Sequence, residues 1–288
     1  MTDADTEGHA IPAPAADLQR LWTPWRMGYV TGGVREDGCL FCNCFAADDR
    51  DALIVHRGER AFVIMNLFPY NTGHVMLVPN AHISTPEDAD PETTAELAAL
   101  RSPVLRALRR ALNCDGFNLG LNVGAVAGAG VAEHMHEHVV PRWQGDANFM
   151  PILASTRVLP ELIPVTYAKL RAELGRETTG AMPAILALTP SHDVLLDSAG
   201  HLPRPAPTLH EPVFQAAMRE LLAAGAERAE VADWAGNRVE DGVLLLHAEF
   251  PHGVADASPF RLVSAATALA GPDAAIIRAG LDRLAPPP

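Results

Sequence analysis

The chain lacks an excess of positive charge. Its 22 Lys and Arg stand against 35 Asp and Glu, a formal net charge of −13. At that balance phosphate repulsion excludes tight, nonspecific binding along a nucleic-acid backbone. A small nucleotide remains possible, because a few local groups decide its binding. No apolar run is long enough to span a membrane. Residues 1–19 are polar, alanine-rich and acidic, without the basic start and apolar core of a secretion signal. They read as a disordered leader, and the protein as cytoplasmic with no membrane partner. Cysteine is scarce, and of the 4 present, Cys39, Cys42 and Cys44 crowd together while Cys114 stands apart. In a reducing compartment such a cluster binds metal or stays as thiols rather than pairing as disulfides. There is no internal repeat.

With 288 residues, 48% of them hydrophobic, the chain can build one large core or two modest ones. The pattern suggests two domains, 20–177 and 183–288, joined by the linker-like stretch 178–183. In the first, runs rich in Val, Ile and Phe at 53–56, 62–65 and 74–78 predict strands. Asp90 is suited to cap a helix that has Pro91 at its first position. Leu97, Leu100, Val104, Leu105, Leu108 and Leu112 then recur at helical spacing, with Pro103 set to kink the helix. Strands at 117–123 and 135–140 follow, joined by the glycine-rich stretch 124–130, and a helix is predicted over 162–174. The fold class is α+β, with a mostly antiparallel sheet and helices, plus a smaller C-terminal α/β domain. In that second domain strands are predicted at 184–188, 194–196 and 243–247, a helix at 213–224, and a helical C-terminal end.

The most informative segment runs from His134 to Trp143. Strand side chains alternate between faces, so His134, His136 and His138 would share one face, alternate residues about 7 Å apart. Three imidazoles on one face can bind metal or carry out phosphoryl chemistry. Histidine suits the second because a neutral imidazole is a nucleophile at physiological pH. A single zinc held by all three fits poorly, since same-face strand neighbours diverge from a tetrahedral site.

These alternating histidines, followed by Pro141-Arg142-Trp143, closely resemble the histidine-triad family. The resemblance extends to Leu21-Trp22-Thr23-Pro24-Trp25-Arg26, to Cys39-Leu40-Phe41-Cys42, to Asn66, Pro69 and Gly73-His74, and to residues 145–149. It covers about residues 20–175 and is closest to the branch of diadenosine polyphosphate phosphorylases. It implies that His136 attacks an α-phosphorus to form a nucleotidyl-histidine, that His138 hydrogen-bonds the non-bridging oxygens, and that His134 completes the catalytic triad. It further implies that Asn66 meets the ribose and Asn122 the phosphates. Backbone N–H groups around Gly128 and Gly130 are suited to an anion nest, and Arg142 and Arg26 to phosphate, with Trp143 beside them at the nucleotide. The implied partners are adenine nucleotides or dinucleoside polyphosphates and inorganic phosphate, with a homodimer as the implied assembly and no nucleic acid. A non-catalytic nucleotide-binding regulator and an adenosine phosphoramidate hydrolase are the alternatives. Two positions depart from the family pattern. Gly130 and Val131 stand where Gln, Ser or Thr assists the leaving group, and Glu137 replaces an apolar residue, marking either an exposed patch or a contact with the second domain.

Cys39 and Cys42 form one CxxC, and zinc needs four ligands. His82 and His134 are the best candidates for the other two, an arrangement that the family resemblance also implies. The metal would be a structural Zn2+ tying the N-terminal arm to the triad strand; the alternative is a pair of reduced thiols beside an unrelated His82. No organic cofactor is implied. The second domain weakly resembles a degenerate Nudix fold, through Ala217-Met218-Arg219-Glu220-Leu221 and Gly225. The clustered glutamates that hold magnesium in that fold are missing, so Glu211, Glu220 and Glu227 read as solvated charges and the domain as accessory.

Overall fold

The alternation read at 53–78 folds into three antiparallel neighbours, β1 (Ile54–Arg57), β2 (Ala61–Met65) and β3 (Val75–Pro79). In this computed structural model, which describes residues 38–146, 161–236 and 242–284, β4 (Gly116–Leu121) and β5 (Glu137–Arg142) complete a five-stranded sheet of order β1-β2-β3-β5-β4. The leader, the tryptophan-containing arm with Arg26, and residues 147–149 lie outside the described residues.

The period of two divides the sheet into two chemically different faces. Val63, Val75, Leu77 and Val139 face one core, and Phe62, Ile64, Met76 and Val78 face another. A short helix, α1 (Leu40–Ala46), lays Phe41 on the second face. The first face is covered by α2 (Pro91–Leu112). Its N-terminus is capped as the sequence implied, with the Asp90 carboxylate accepting from Thr93 N at 2.6 Å and Pro91 in the first turn. Asn113, in the left-handed conformation, ends it. Leu97, Leu100, Val104, Ala107, Leu108 and Ala111 form the buried stripe, and each large aliphatic buried there contributes about 1.5–3 kcal/mol. Pro103 lies inside the helix, which continues through it.

Helix α3 (Ile163–Thr179) outlasts the stretch expected for it and stops at Gly180, so the linker shrinks to the residues before β6. Buried residues surround α3, from Tyr167 and Ala168 to Leu174 and Gly175, because it packs on α2 and β1 on one side and on β8 on another. The second sheet has the order β10-β7-β6-β9-β8. Its strands are β6 (Ala184–Leu188), β7 (Asp193–Asp197), β8 (Arg228–Ala235), β9 (Val243–Glu249) and β10 (Phe260–Ser264). The pair β6–β9 is parallel and the others are antiparallel. Helices α4 (Val213–Ala223), α5 (Ala265–Ala268) and α6 (Ala274–Leu284) accompany it. One apolar core runs from Val63 and Leu108 through Tyr167 and Leu170 to Ile185, Trp234 and Leu244, so it spans both sheets.

The glutamates expected as solvated charges are partly engaged. Glu211 pairs with Arg219 at 2.9 Å and accepts from Thr208 N, while Glu220 accepts from Ala206 N at 2.8 Å. Both pin the proline-rich loop to α4, a role that a helix-face reading of one segment could not reveal. Exposed Glu227 lies near His252 at the surface.

Candidate active site and metal centre

Strand β5 starts at Glu137, so strict alternation governs His138 but not the histidines before it. The expectation of one strand carrying all three histidines is corrected accordingly, although all three imidazoles are directed to the α1 side. His138 lies opposite Met76 on β3, on the α1 side of the sheet. His136 also faces that side, its ring 4.9 Å from Phe41 and 4.9 Å from the His138 ring. His134 is also directed toward α1, its ring 5.5 Å from Phe41 and its Nδ1 3.3 Å from Cys39 Sγ and 3.7 Å from Cys42 Sγ.

Fixed backbone partners settle the imidazole tautomers, because a carbonyl only accepts and an amide N–H only donates. His136 Nδ1–H donates to His134 O at 2.9 Å, leaving the Nε2 lone pair bare. His134 Nε2–H donates to Pro79 O at 2.9 Å, leaving Nδ1 as its lone-pair atom. The third chain begins with a residue that sequence reasoning gave no role, His74. Tyr70 N–H donates to His74 Nδ1 at 3.1 Å, so the proton of neutral His74 sits on Nε2, 2.9 Å from His138 Nδ1. His138 accepts there and carries its own proton on Nε2. Burial, with the neighbouring His136 second, pushes the His138 pKa down to about 4, so the ring is neutral near pH 7. His74 is fully buried. Gly73 before it has φ 74°, and a Cβ there would meet Leu112 Cδ1 at 2.2 Å, so glycine brings His74 under His138 without the strain a side chain would add.

The other expected nucleotide contacts are dispersed. Asn122 follows β4 and lies one residue beyond the Leu121–Glu137 pair, the last of that ladder. Asn66 follows β2; its Oδ1 accepts from Phe68 N at 2.8 Å, and its N–H reaches His74 O at 2.9 Å. It therefore shapes the loop that carries His74. Gly128 has φ 87°, but its N–H donates to Ala125 O at 3.0 Å within a tight turn, so it is not available to an anion nest. Gly130 is exposed beside that turn. Arg142 ends β5 and Trp143 follows it, at the opposite end of the strand from His136. Arg142 donates to Asn118 Oδ1 at 2.7 Å and Trp143 Nε1–H to Asn113 O at 3.1 Å, so the structure does not bring either to the histidines. Glu137 does not mark an exposed patch. It is buried on the α2 side and paired with Arg101 of α2 at 3.0 Å, a partner 36 residues away in sequence.

Cys39, Cys42, His82 and His134 come together as expected. One donor atom from each lies within 4.8 Å of all the others, a group that can hold a metal ion. Cys39 caps α1 and Cys42 lies within it, so this short helix presents both thiols to His134 and, at 3.5 Å from Cys42 Sγ, to His82 Nδ1. Cys44 and Cys114 stand outside this group and form no disulfide.

The chain is similar to several known proteins. Residues 48–145 match the HIT domain model. A Mycobacterium tuberculosis protein named AP-4-A phosphorylase is 39% identical over 188 residues, covering 61% of this chain and 96% of that protein. The adenylylsulfatase HINT3 of Arabidopsis thaliana is 29% identical over 119 residues, 41% of this chain and 59% of its own. Among solved structures, a Zn-bound histidine triad family protein from Mycobacterium smegmatis matches at 30% identity and TM-score 0.41, covering 50% of this chain and 97% of that one. With nearly the whole length of the 39%-identical relative matched, the chain belongs to the histidine-triad, or HIT, family.

Proposed function

We propose that this chain is a nucleotidyltransferase that cleaves diadenosine polyphosphates through a covalent adenylyl-His136, with inorganic phosphate as its preferred acceptor. The observation that carries the reading is the bare Nε2 of His136, fixed by its Nδ1–H bond to His134 O and set 4.9 Å, ring to ring, from a His138 that presents an Nε2–H. The name of the 39%-identical relative supports the substrate class.

In the first step the Nε2 lone pair of His136 attacks the α-phosphorus, a P–N bond forms, and the P–O bond to the departing polyphosphate breaks. The charge gained by the imidazole is stabilised through Nδ1–H by the His134 carbonyl. The His138 Nε2–H donates to a non-bridging oxygen, where negative charge grows in the transition state. In the second step a phosphate oxygen attacks the same phosphorus, the P–N bond breaks, and His136 returns neutral. Asn122, one residue past the Leu121–Glu137 pair, is read as the side chain that assists the leaving group, since Gly130 and Val131 offer none.

The Cys39, Cys42, His82 and His134 group is read as a structural zinc site. A tetrahedral ion with Zn–S near 2.3 Å and Zn–N near 2.0 Å sets sulfur and nitrogen about 3.5 Å apart. The Cys–His separations here are 3.3, 3.5 and 3.7 Å. His134 already offers Nδ1 as a lone pair, because Nε2–H is held by Pro79 O. When bound, the metal would tie α1 to the segment carrying His136. The second sheet is read as non-catalytic, since Glu211 and Glu220 are engaged in loop contacts. A homodimer is supported by the edge strand β4, whose Leu119 and Leu121 are exposed.

The test is His136→Asn. Turnover of diadenosine tetraphosphate should fall below about a hundredth of wild type while nucleotide binding persists. Activity above that level would exclude the covalent route.

A further inference from the structure

Two aromatic rings bracket the row of imidazoles. Phe41 is buried at one end, against His134 and His136. At the other end Tyr70 stacks on His74, centroids 4.8 Å apart and planes 26° from parallel, with its ring 5.8 Å from that of His138. Tyr70 is 44% exposed, so its ring forms the solvent side of the His74–His138 pair. The same residue donates its backbone N–H to His74 Nδ1. One residue thus governs both the protonation pattern of His74 and the plane of its ring.

We propose that Tyr70 is a positioning residue that acts through His74 on His138. Its stacked ring keeps His74 Nε2–H aimed at His138 Nδ1 and screens the pair from water, so that His138 stays neutral with its proton on Nε2. This rests on the reading of His138 as donor to the phosphoryl oxygens. The titratable groups facing His138 among the described residues are His136 on its own segment, His74 from the lead-in to β3, and Tyr70 from the β2–β3 loop. The strands on either side place uncharged Gly120 and Met76 opposite it. Loss of the Tyr70 ring admits water to the pair and lowers the cost of charging His138.

The experiment is 15N–1H correlation of histidine rings from pH 3.5 to 8 in wild type, Tyr70→Phe and Tyr70→Ala, with amide spectra confirming the fold. Wild type and Tyr70→Phe should keep neutral, Nε2-protonated His138 down to about pH 5, whereas Tyr70→Ala should raise its midpoint by about one unit. An unchanged midpoint in Tyr70→Ala would overturn the proposal. So would an equal shift in Tyr70→Phe, which assigns the effect to the hydroxyl. With diadenosine tetraphosphate, Tyr70→Ala should lose about tenfold in kcat with KM within about twofold, and Tyr70→Phe should restore kcat. A change in KM alone would make Tyr70 a substrate contact and refute the positioning role. Absence of turnover in the wild type would count against the proposed reaction, while the ring spectra still decide the role of Tyr70.

Discussion

Replacing Asp49 by Ala should destabilise the whole molecule, because this carboxylate joins the first sheet to the helix that both sheets share. Asp49 is 4% exposed. Its Oδ1 accepts from Arg57 Nε at 2.5 Å, and its Oδ2 from Arg171 Nη2 at 2.7 Å. Arg171, on α3, is 3% exposed and also donates to Ile54 O at 2.9 Å, where the Tyr167 hydroxyl donates as well. The substitution leaves a guanidinium buried without this carboxylate, and breaking a buried ion pair from one side costs about 3–5 kcal/mol. Against a total stability of about 5–15 kcal/mol that is a large share. Urea denaturation followed by tryptophan fluorescence and by far-UV circular dichroism measures it. The two probes should give one coincident transition, since Trp234 of the second sheet and Val63 of the first belong to one core. Replacing Arg171 by Met in the same chain should recover most of the loss, because the stranded charge is removed. A loss below about 1 kcal/mol for Asp49→Ala, or a double variant weaker than the single one, would refute the reasoning.

Metal analysis of protein purified without chelator should find one zinc per chain, absent in Cys42→Ala; zinc-free wild type would contradict the site. The His138 pKa is lower in the folded chain, about 4, than the ordinary 6.5, so between these values the unfolded chain binds more protons and wild-type stability falls as pH drops. The stability difference between wild type and His138→Gln should therefore change across that window and level off above it, with wild type gaining as pH rises; a flat difference would show that His138 is not desolvated. The intact His136→Asn chain, given magnesium and nucleoside diphosphate derivatives, should release no product, and hydrolysis would assign chemistry to the second sheet.

Much of the site was legible because its signals are local. Asp90-Pro91 marked a helix start that the structure bears out, and the CxxC with two histidines marked four residues whose donor atoms the fold brings together. What escaped depends on contacts remote in sequence. His74 meets His138 across 64 residues, and Asp49 meets Arg171 across 122. Neither pair has a spacing that periodicity detects. Helix α1 was missed because its 7 residues are too few for a helical repeat to stand out. Strand β8 was missed because Arg228, Glu230 and Asp233 interrupt its apolar pattern, although the strand pairs with β9 on both sides of an irregularity at Ala232. His134 and His136 precede the strand, because the ladder starts only at Glu137.

The most direct measurement is the identity of the products from diadenosine tetraphosphate, separated chromatographically after incubation with the wild-type chain in the presence and absence of millimolar phosphate. Attack of phosphate on an adenylyl-histidine yields ADP and ATP, and the account predicts these as the dominant pair when phosphate is present. AMP with ATP as the dominant pair at millimolar phosphate would contradict the assignment of phosphate as acceptor, and an unconsumed substrate under both conditions would contradict the proposed reaction itself.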